Sequence, residues 1–305
     1  MPDAADKAAL AETIARLKKE RNAVIIAHNY QLGEVQDAAD FVGDSLELSR
    51  KAAAVEAAVI VFCGVHFMAE TAAILSPQKT VLIPDPRAGC PMADMISADE
   101  LIRWKARYPG RPVVCYVNTS AAVKAECDIC CTSANAVQVV NSLEAGEVLF
   151  VPDKNLAAWV AGQTSKSIIA WDGYCYIHNN ILARDVREKR KLHPEAVVWA
   201  HPECRPDVIA LADKTLSTGG MVREAGRTGA REIILATEAT MVYRLKKENP
   251  DKEFFPAHDL AYCANMKKIT LPKVAAALEN MIHRVVVPPE IAERARGALE
   301  RMIRL

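Results

Sequence analysis

The chain has 305 residues, 51% of them hydrophobic, enough to bury a sizeable core as one large domain or up to three small ones. Lysine plus arginine and aspartate plus glutamate number 38 each, with no basic arm or stripe, which argues against nucleic acid as a partner. No apolar run approaches the roughly 20 residues that span a bilayer, and the opening MPDAADKAALAETIARLKKER has no apolar core, so neither a membrane nor secretion is expected and the cytoplasm is the default.

In chain order, an amphipathic helix with Leu10, Ile14 and Leu17 comes first. The run VIIAHNY (24–30) predicts a buried strand ending in His28, Asn29 and Tyr30. GDS (43–45) lies where a helix begins, with Phe41, Leu46 and Leu48 to Ala52 at helical spacing. AAVIVFCGVHFMAET (57–71) reads as a strand and then a helix, and TVLIPDPRAGCPMAD (80–94) as a further strand leading to Cys90. The series then begins again with PVVCYVNTS (112–120), CTSAN (131–135), GEVLFVPDKNLAAWV (146–160) and SIIAWDGYCYIHNN (167–180), which contains Cys175. A third round runs through AVVWAHPEC (196–204), LSTGG (216–220), REIILATEATMVYRL (231–245) and EFFPAHDLAYCANMKK (253–268), which contains Cys263. The tail from Leu271 reads as a helix, an extended RVVVPP and a last helix from Glu290.

Cys90, Cys175 and Cys263 lie 85 and 88 residues apart, and Ser45, Ser133 and Thr218 lie 88 and 85 apart. Several features keeping one period indicate a triplicated unit. Val/Ile-rich runs between Ala-rich helices are the pattern of parallel strands buried on both faces. The expected fold is α/β, with three pseudo-symmetric α/β/α sandwich repeats and parallel sheets around a central site. The repeats are 1–90, 91–175 and 176–264, with 265–305 packing back on the first. Ligands of such sheets bind beyond the carboxyl ends of the strands, where the unusual polar residues of this chain fall.

Nine cysteines are too few for a disulfide scaffold and odd in number, which suits a reducing compartment. Cys63 and Cys115 sit inside strand-like runs and read as small buried hydrophobes. Cys90, Cys175 and Cys263 instead share one place in each repeat, next to Gly, Pro or a helix start, where thiolates are favoured and can bind iron or zinc. Cys127, Cys130 and Cys131 look locally like a zinc-type pair, but no second pair completes them. His28 and Tyr30, Tyr116 and Asn118, and His201 and Glu203 offer hydrogen-bonding or proton-transferring side chains at strand ends. Ser45, Ser133, Ser217 and Thr218 serve either as N-caps or as anion contacts, and Gly219 and Gly220 would let a ligand approach the backbone.

The ordered motifs IIAHNYQ, FVGDSLELSRKA, CPMAD, YVNTSAAVKAE, CTSANAV, DGYCYIH, HPEC, STGGM and CANMKKITL resemble the quinolinate synthase family over about residues 20 to 275. The resemblance implies condensation of iminoaspartate with dihydroxyacetone phosphate to quinolinate, phosphate and water, on the way to NAD. It implies a 4Fe-4S cluster on Cys90, Cys175 and Cys263, with one iron left open as a Lewis acid. Carried over by motif, the substrate contacts are His28, Tyr30, Ser45, Tyr116, Asn118, Ser133, His178, His201, Glu203, Ser217 and Thr218. Tyr30, His201 and Glu203 are the implied acid–base groups. Small-molecule substrates are the expected partners, with transient contact to the iminoaspartate-producing enzyme as a further expectation. Leu216 and Tyr176 stand where many relatives have Gly and Pro, and the chain lacks the C-terminal cysteine group of longer members. The rival readings are a different 4Fe-4S hydro-lyase, and a binding module for a phosphorylated metabolite with zinc or structural cysteines.

Overall fold

Twelve strands form three four-stranded parallel sheets among the residues described in this computed structural model, 4–305 for the backbone and 9–305 for side chains. The first sheet holds β1 (Ala23–His28), β2 (Phe41–Gly43), β3 (Val59–Cys63) and β4 (Thr80–Leu82). The second holds β5 (Val113–Tyr116), β6 (Ile129–Cys131), β7 (Glu147–Val151) and β8 (Ser167–Ala170). The third holds β9 (Val197–Ala200), β10 (Lys214–Thr215), β11 (Glu232–Ala236) and β12 (Glu253–Pro256). Each unit places its strands in one order: β2-β1-β3-β4, β6-β5-β7-β8 and β10-β9-β11-β12. Helices connect the parallel strands, so the fold is α/β in three repeated units, as the period predicts.

The central strands explain why these sequences form sheets. β3 is buried at every position, and β7 and β11 at all but the first, so their Val, Ile and Leu side chains pack on both faces. Burying one such side chain stabilises the fold by about 1.5–3 kcal/mol. Edge strand β8, by contrast, is exposed at both ends.

Register aligns the three units residue by residue. Ala27, Cys115 and Ala200 each end the pairing with the next strand, opposite Cys63, Val151 and Ala236. On the other side they face Val42, Cys130 and Thr215. One residue further on, His28, Tyr116 and His201 are therefore equivalent. Three residues further on, so are Tyr30, Asn118 and Glu203, and, beyond the neighbouring strand, Ser45, Ser133 and Thr218. The shared offsets place each set at the same point beyond its strand end.

The flanking segments brace this arrangement. The opening helix Ala4–Arg21 packs on helix Leu271–Asn280 and on β1, with Ile14 and Leu17 buried. After that helix, Val285 N–H donates to Val81 O and Ile83 N–H to His283 O, so the extended tail runs antiparallel along β4. The last helix, Pro289–Arg304, reaches further than the first repeat. It contacts helix His66–Leu75 of the first unit and also β6 and helix Ala121–Lys124 of the second. Arg296 Nε donates to Ile74 O, while Asn135 Nδ2 donates to Met302 O. The tail thus sits across the first and second units, because its buried Ala295, Ala298, Leu299 and Met302 form an apolar stripe that both units cover.

Candidate active site

The carboxyl ends of the three sheets converge on one cavity open to solvent. Every site residue expected from the sequence lines it except Ser217. The first unit contributes His28, Tyr30, Ser45 and Cys90, the second Tyr116, Asn118, Ser133 and Cys175, and the third His178, His201, Glu203, Thr218 and Cys263.

Glu203 lies at the centre of the polar wall. Its Oε2 is 2.7 Å from His178 Nδ1 and 3.5 Å from His201 Nδ1, and all three side chains are almost fully buried. Burial works against the Glu203 carboxylate, but the histidines, His178 first, outweigh it and hold its pKa down to about 2. Its Oε1 and the Oδ1 of Asn118 are buried without a hydrogen-bond partner. Asn155 Nδ2 donates to Glu203 O at 3.2 Å, fixing the loop from the second unit.

The surrounding groups differ in protonation. Burial lowers the pKa of His201 to about 3 against the pull of Glu203, so its imidazole is neutral near pH 7. The His201 ring stacks on His178 with centroids 4.6 Å apart, and His201 Nε2 is 3.1 Å from Ser133 Oγ. Burial, followed by the nearby Lys267, lowers His28 to about 3. Tyr30 is pushed well above its usual value by burial and by Glu203, and so keeps its proton. Its hydroxyl is 2.6 Å from Thr237 Oγ1 and 3.3 Å from His178 Nε2. Tyr116 is raised for the same two reasons, burial first. A base, neutral imidazoles and protonated phenols thus stand within one network.

The thiols behave otherwise than their helix-start positions suggest. Cys90 precedes the short turn Ala93–Met95, Cys175 precedes helix Tyr176–Asn179, and Cys263 precedes Met266–Lys268. Backbone N–H groups lower each thiol pKa: Ala93 and Met92 for Cys90, His178 for Cys175, Met266 and Asn265 for Cys263. Burial is the larger effect and wins, pushing Cys90 up to about 12 and raising the other two. A turn of helix supplies too few donors to offset desolvation; a bound cation would reverse that balance.

The hydroxyl positions separate into two roles. Asp44, not Ser45, caps helix Ser45–Ala54: its Oδ1 accepts from Leu46 and Glu47 N–H, and Glu47 returns the bond to Asp44 N–H. Ser45 is left in the first turn, facing the cavity. Ser217 caps helix Thr218–Ala225 by accepting from Gly220 N–H at 3.1 Å and donates to Asp44 Oδ2 at 3.3 Å. Ser217 thus joins two helix starts instead of lining the cavity. Gly219 is small for the same contact: a Cβ there would meet Asp44 Oδ2 at 2.4 Å. Asn29 also turns from the cavity, donating to Thr218 Oγ1 at 2.9 Å.

Sequence reasoning missed Thr237, Glu238, Asp153 and Lys267. Thr237 Oγ1 is 3.0 Å from His178 Nε2 and links it to Tyr30. Lys267 Nζ is 2.7 Å from Glu238 Oε1, a nearly fully buried pair. Glu238 and Asp153 share one offset in the repeat, two residues beyond β11 and β7, and that was the available signal. Cys127, Cys130 and Cys131 do not gather as a metal site. Among the described residues only Cys175, His178 and Glu203 bring three ligand atoms within 4.8 Å of one another.

Three parallel α/β units enclosing a buried carboxylate, imidazoles, phenols and thiols define an enzyme of pseudo-threefold design, with its site where the units meet. A protein-family model described as Quinolinate synthetase A protein (NadA) matches residues 12–304. A quinolinate synthase of Dehalococcoides mccartyi strain CBDB1 is 64% identical over 296 residues, 97% of this chain and 98% of its own. Quinolinate synthase 2 of Methanosarcina acetivorans is 55% identical over 294 residues, 96% of this chain and 95% of its own. A Thermodesulfovibrio yellowstonii quinolinate synthase is 55% identical over 295 residues, 96% and 97% of the two chains. The chain belongs to the quinolinate synthase family.

Proposed function

We propose that this cavity condenses iminoaspartate with dihydroxyacetone phosphate to quinolinate, phosphate and water, with a 4Fe-4S cluster on Cys90, Cys175 and Cys263. The observation that carries the reading is that one cysteine from each unit faces the cavity that holds Glu203, His201 and Tyr30. The donor set suits a cluster better than one ion. Two sulfurs bound to a single zinc at about 2.3 Å lie no more than about 4.6 Å apart, whatever the angle. Cys175 gathers with His178 and Glu203 within 4.8 Å, and Cys90 and Cys263 do not join that group, a spread of sulfurs that favours a cluster over one ion.

When bound, such a cluster supplies a Lewis-acidic iron that polarises a hydroxyl or carboxylate. The protein's own groups move the protons. Glu203, ionised and with Oε1 unpaired, accepts a proton during ring closure. Neutral His201 relays protons between Glu203 and the Ser133 hydroxyl. Tyr30 keeps its proton and donates it toward a departing hydroxyl. Anionic substrate groups are met by the hydroxyls of Ser45, Ser133 and Thr218, which line the cavity. Localisation in the cytoplasm belongs to the same proposal; no described helix is long and apolar enough to cross a membrane.

A second reading has its own support, since Cys175, His178 and Glu203 form a compact Cys-His-Glu set that suits zinc. Metal analysis after anaerobic purification separates the two. Iron and sulfide at about 4:4 per chain is expected. Stoichiometric zinc without iron overturns the cluster. Quinolinate formation from the two named substrates then excludes other cluster-dependent hydro-lyases, and its absence in an iron-loaded protein overturns the reaction.

A further inference from the structure

Each unit clamps its cysteine loop to the end of its third strand in sequence. The clamp common to all three is a backbone hydrogen bond to the carbonyl two residues before the cysteine. His66 N–H donates to Ala88 O at 2.7 Å, Lys154 N–H to Gly173 O at 2.8 Å, and Ala239 N–H to Ala261 O at 2.7 Å. The residue just before each donor is Val65, Asp153 or Glu238. Register makes these three equivalent, two positions beyond Cys63, Val151 and Ala236.

In the second and third units that residue adds a second clamp. Asp153 Oδ2 accepts from Cys175 N–H at 3.0 Å, and Glu238 Oε1 accepts from Cys263 N–H at 3.0 Å. Both carboxylates are buried. Each is also held from its other side: Asp153 Oδ1 accepts from Leu156 N–H at 2.7 Å, and Glu238 Oε2 from Thr240 N–H at 2.9 Å. Val65 has no polar atom with which to do the same.

We propose that Asp153 and Glu238 are positioning residues that fix Cys175 and Cys263 through the cysteines' own backbone N–H, an anchor without counterpart at Cys90, whose loop is tied down further upstream by buried Asp85. Their role as a metal-site support rests on the reading of the three cysteines as ligands of one cluster. The physical basis is that an N–H bond to a buried side-chain oxygen has no water competing for it. Groups that orient ligands from behind govern how tightly a metal is kept. Two ligands thus have a side-chain anchor at their own N–H, and the third is anchored only through neighbouring residues.

The test uses D153S and E238Q in the full-length chain. Serine still caps helix Lys154–Ala161 by accepting from Leu156 N–H, but it is too short to reach Cys175 as well. Glutamine must turn its NH₂ toward one of the two groups of donors that Glu238 accepts. Site-resolved alkylation by iodoacetamide, followed by mass spectrometry on metal-free protein, reads each cysteine separately. D153S should raise the Cys175 rate about tenfold, the worth of one buried hydrogen bond, and E238Q the Cys263 rate similarly, with Cys90 unchanged within about twofold. Iron loaded into either variant should be lost to a chelator about tenfold faster than from the parent protein. Unchanged rates at Cys175 and Cys263, or equal rises at all three cysteines, would overturn the proposal. If the parent protein takes up no iron, the cluster reading fails, and the alkylation pattern still decides whether the carboxylates hold the loops.

Discussion

Cys263 and Cys130 are both free thiols near the carboxyl end of a strand, yet their surroundings have little in common. Cys263 stands on a loop at the cavity, half-buried, with N–H groups of Asn265 and Met266 directed at its sulfur. Cys130 lies inside β6, fully buried, paired in register with Cys115. There the thiols answer one another: burial raises the Cys115 pKa, but hydrogen bonds from Cys127 and Cys130 and the Lys124 ammonium override it. One group of cysteines lines the cavity, and the other is enclosed within the core. The count of cysteines says nothing of this; their place relative to the strand ends does.

The comparison is tested most severely by removing one thiol from each group. C263A should lower bound iron at least about tenfold, measured as iron and sulfide per chain, because a ligand and not merely its support is lost. C130A should leave iron unchanged and cost about 1 kcal/mol of unfolding free energy by denaturant titration, as a small buried deletion does. Iron loss in C130A, or full iron in C263A, would break the distinction.

At the cavity itself, E203Q keeps the shape of the side chain and removes the base. We expect the rate of quinolinate formation to fall about 10²- to 10⁴-fold with iron content unchanged. Full activity would remove Glu203 from proton transfer.

Acid should reveal a gentler difference between cavity and core. His28 and His201 have folded pKa values near 3, below the ordinary value of 6.5. The unfolded chain therefore binds more protons below pH 6.5, and stability falls as pH drops from there toward 3. Each histidine contributes a slope of up to about 1.4 kcal/mol per pH unit across that window. Denaturant titrations of H201N from pH 6.5 to 4 should show a shallower decline than the parent protein. An unchanged slope would mean that His201 is already solvated.

The three-unit α/β fold was legible because hydrophobic runs, turn residues and cysteines recur with one period, and buried parallel strands need such continuous runs. His28, Tyr116 and His201 were legible as site residues for a related reason: they follow apolar strands directly. For Ser217 the sequence left N-cap and anion contact open, because both use the same residue types, and the structure shows it capping a helix and bonded to Asp44. The last helix packs on the first unit as expected, but its contacts with the second were not legible, because an amphipathic pattern records that one face is covered, not by what.

What the sequence by itself determined is the repeat, the strand ends and the residues that stand there, since these depend on local patterning and on order along the chain. Only the tertiary structure decided which way Asn29 and Ser217 turn, and that burial outweighs the helix starts at the three thiols. It also brought Asp153 and Glu238 to the backbone of cysteines more than twenty residues away. Those outcomes depend on distances between units and on the loss of water around buried groups, and neither quantity is written in any local stretch of sequence.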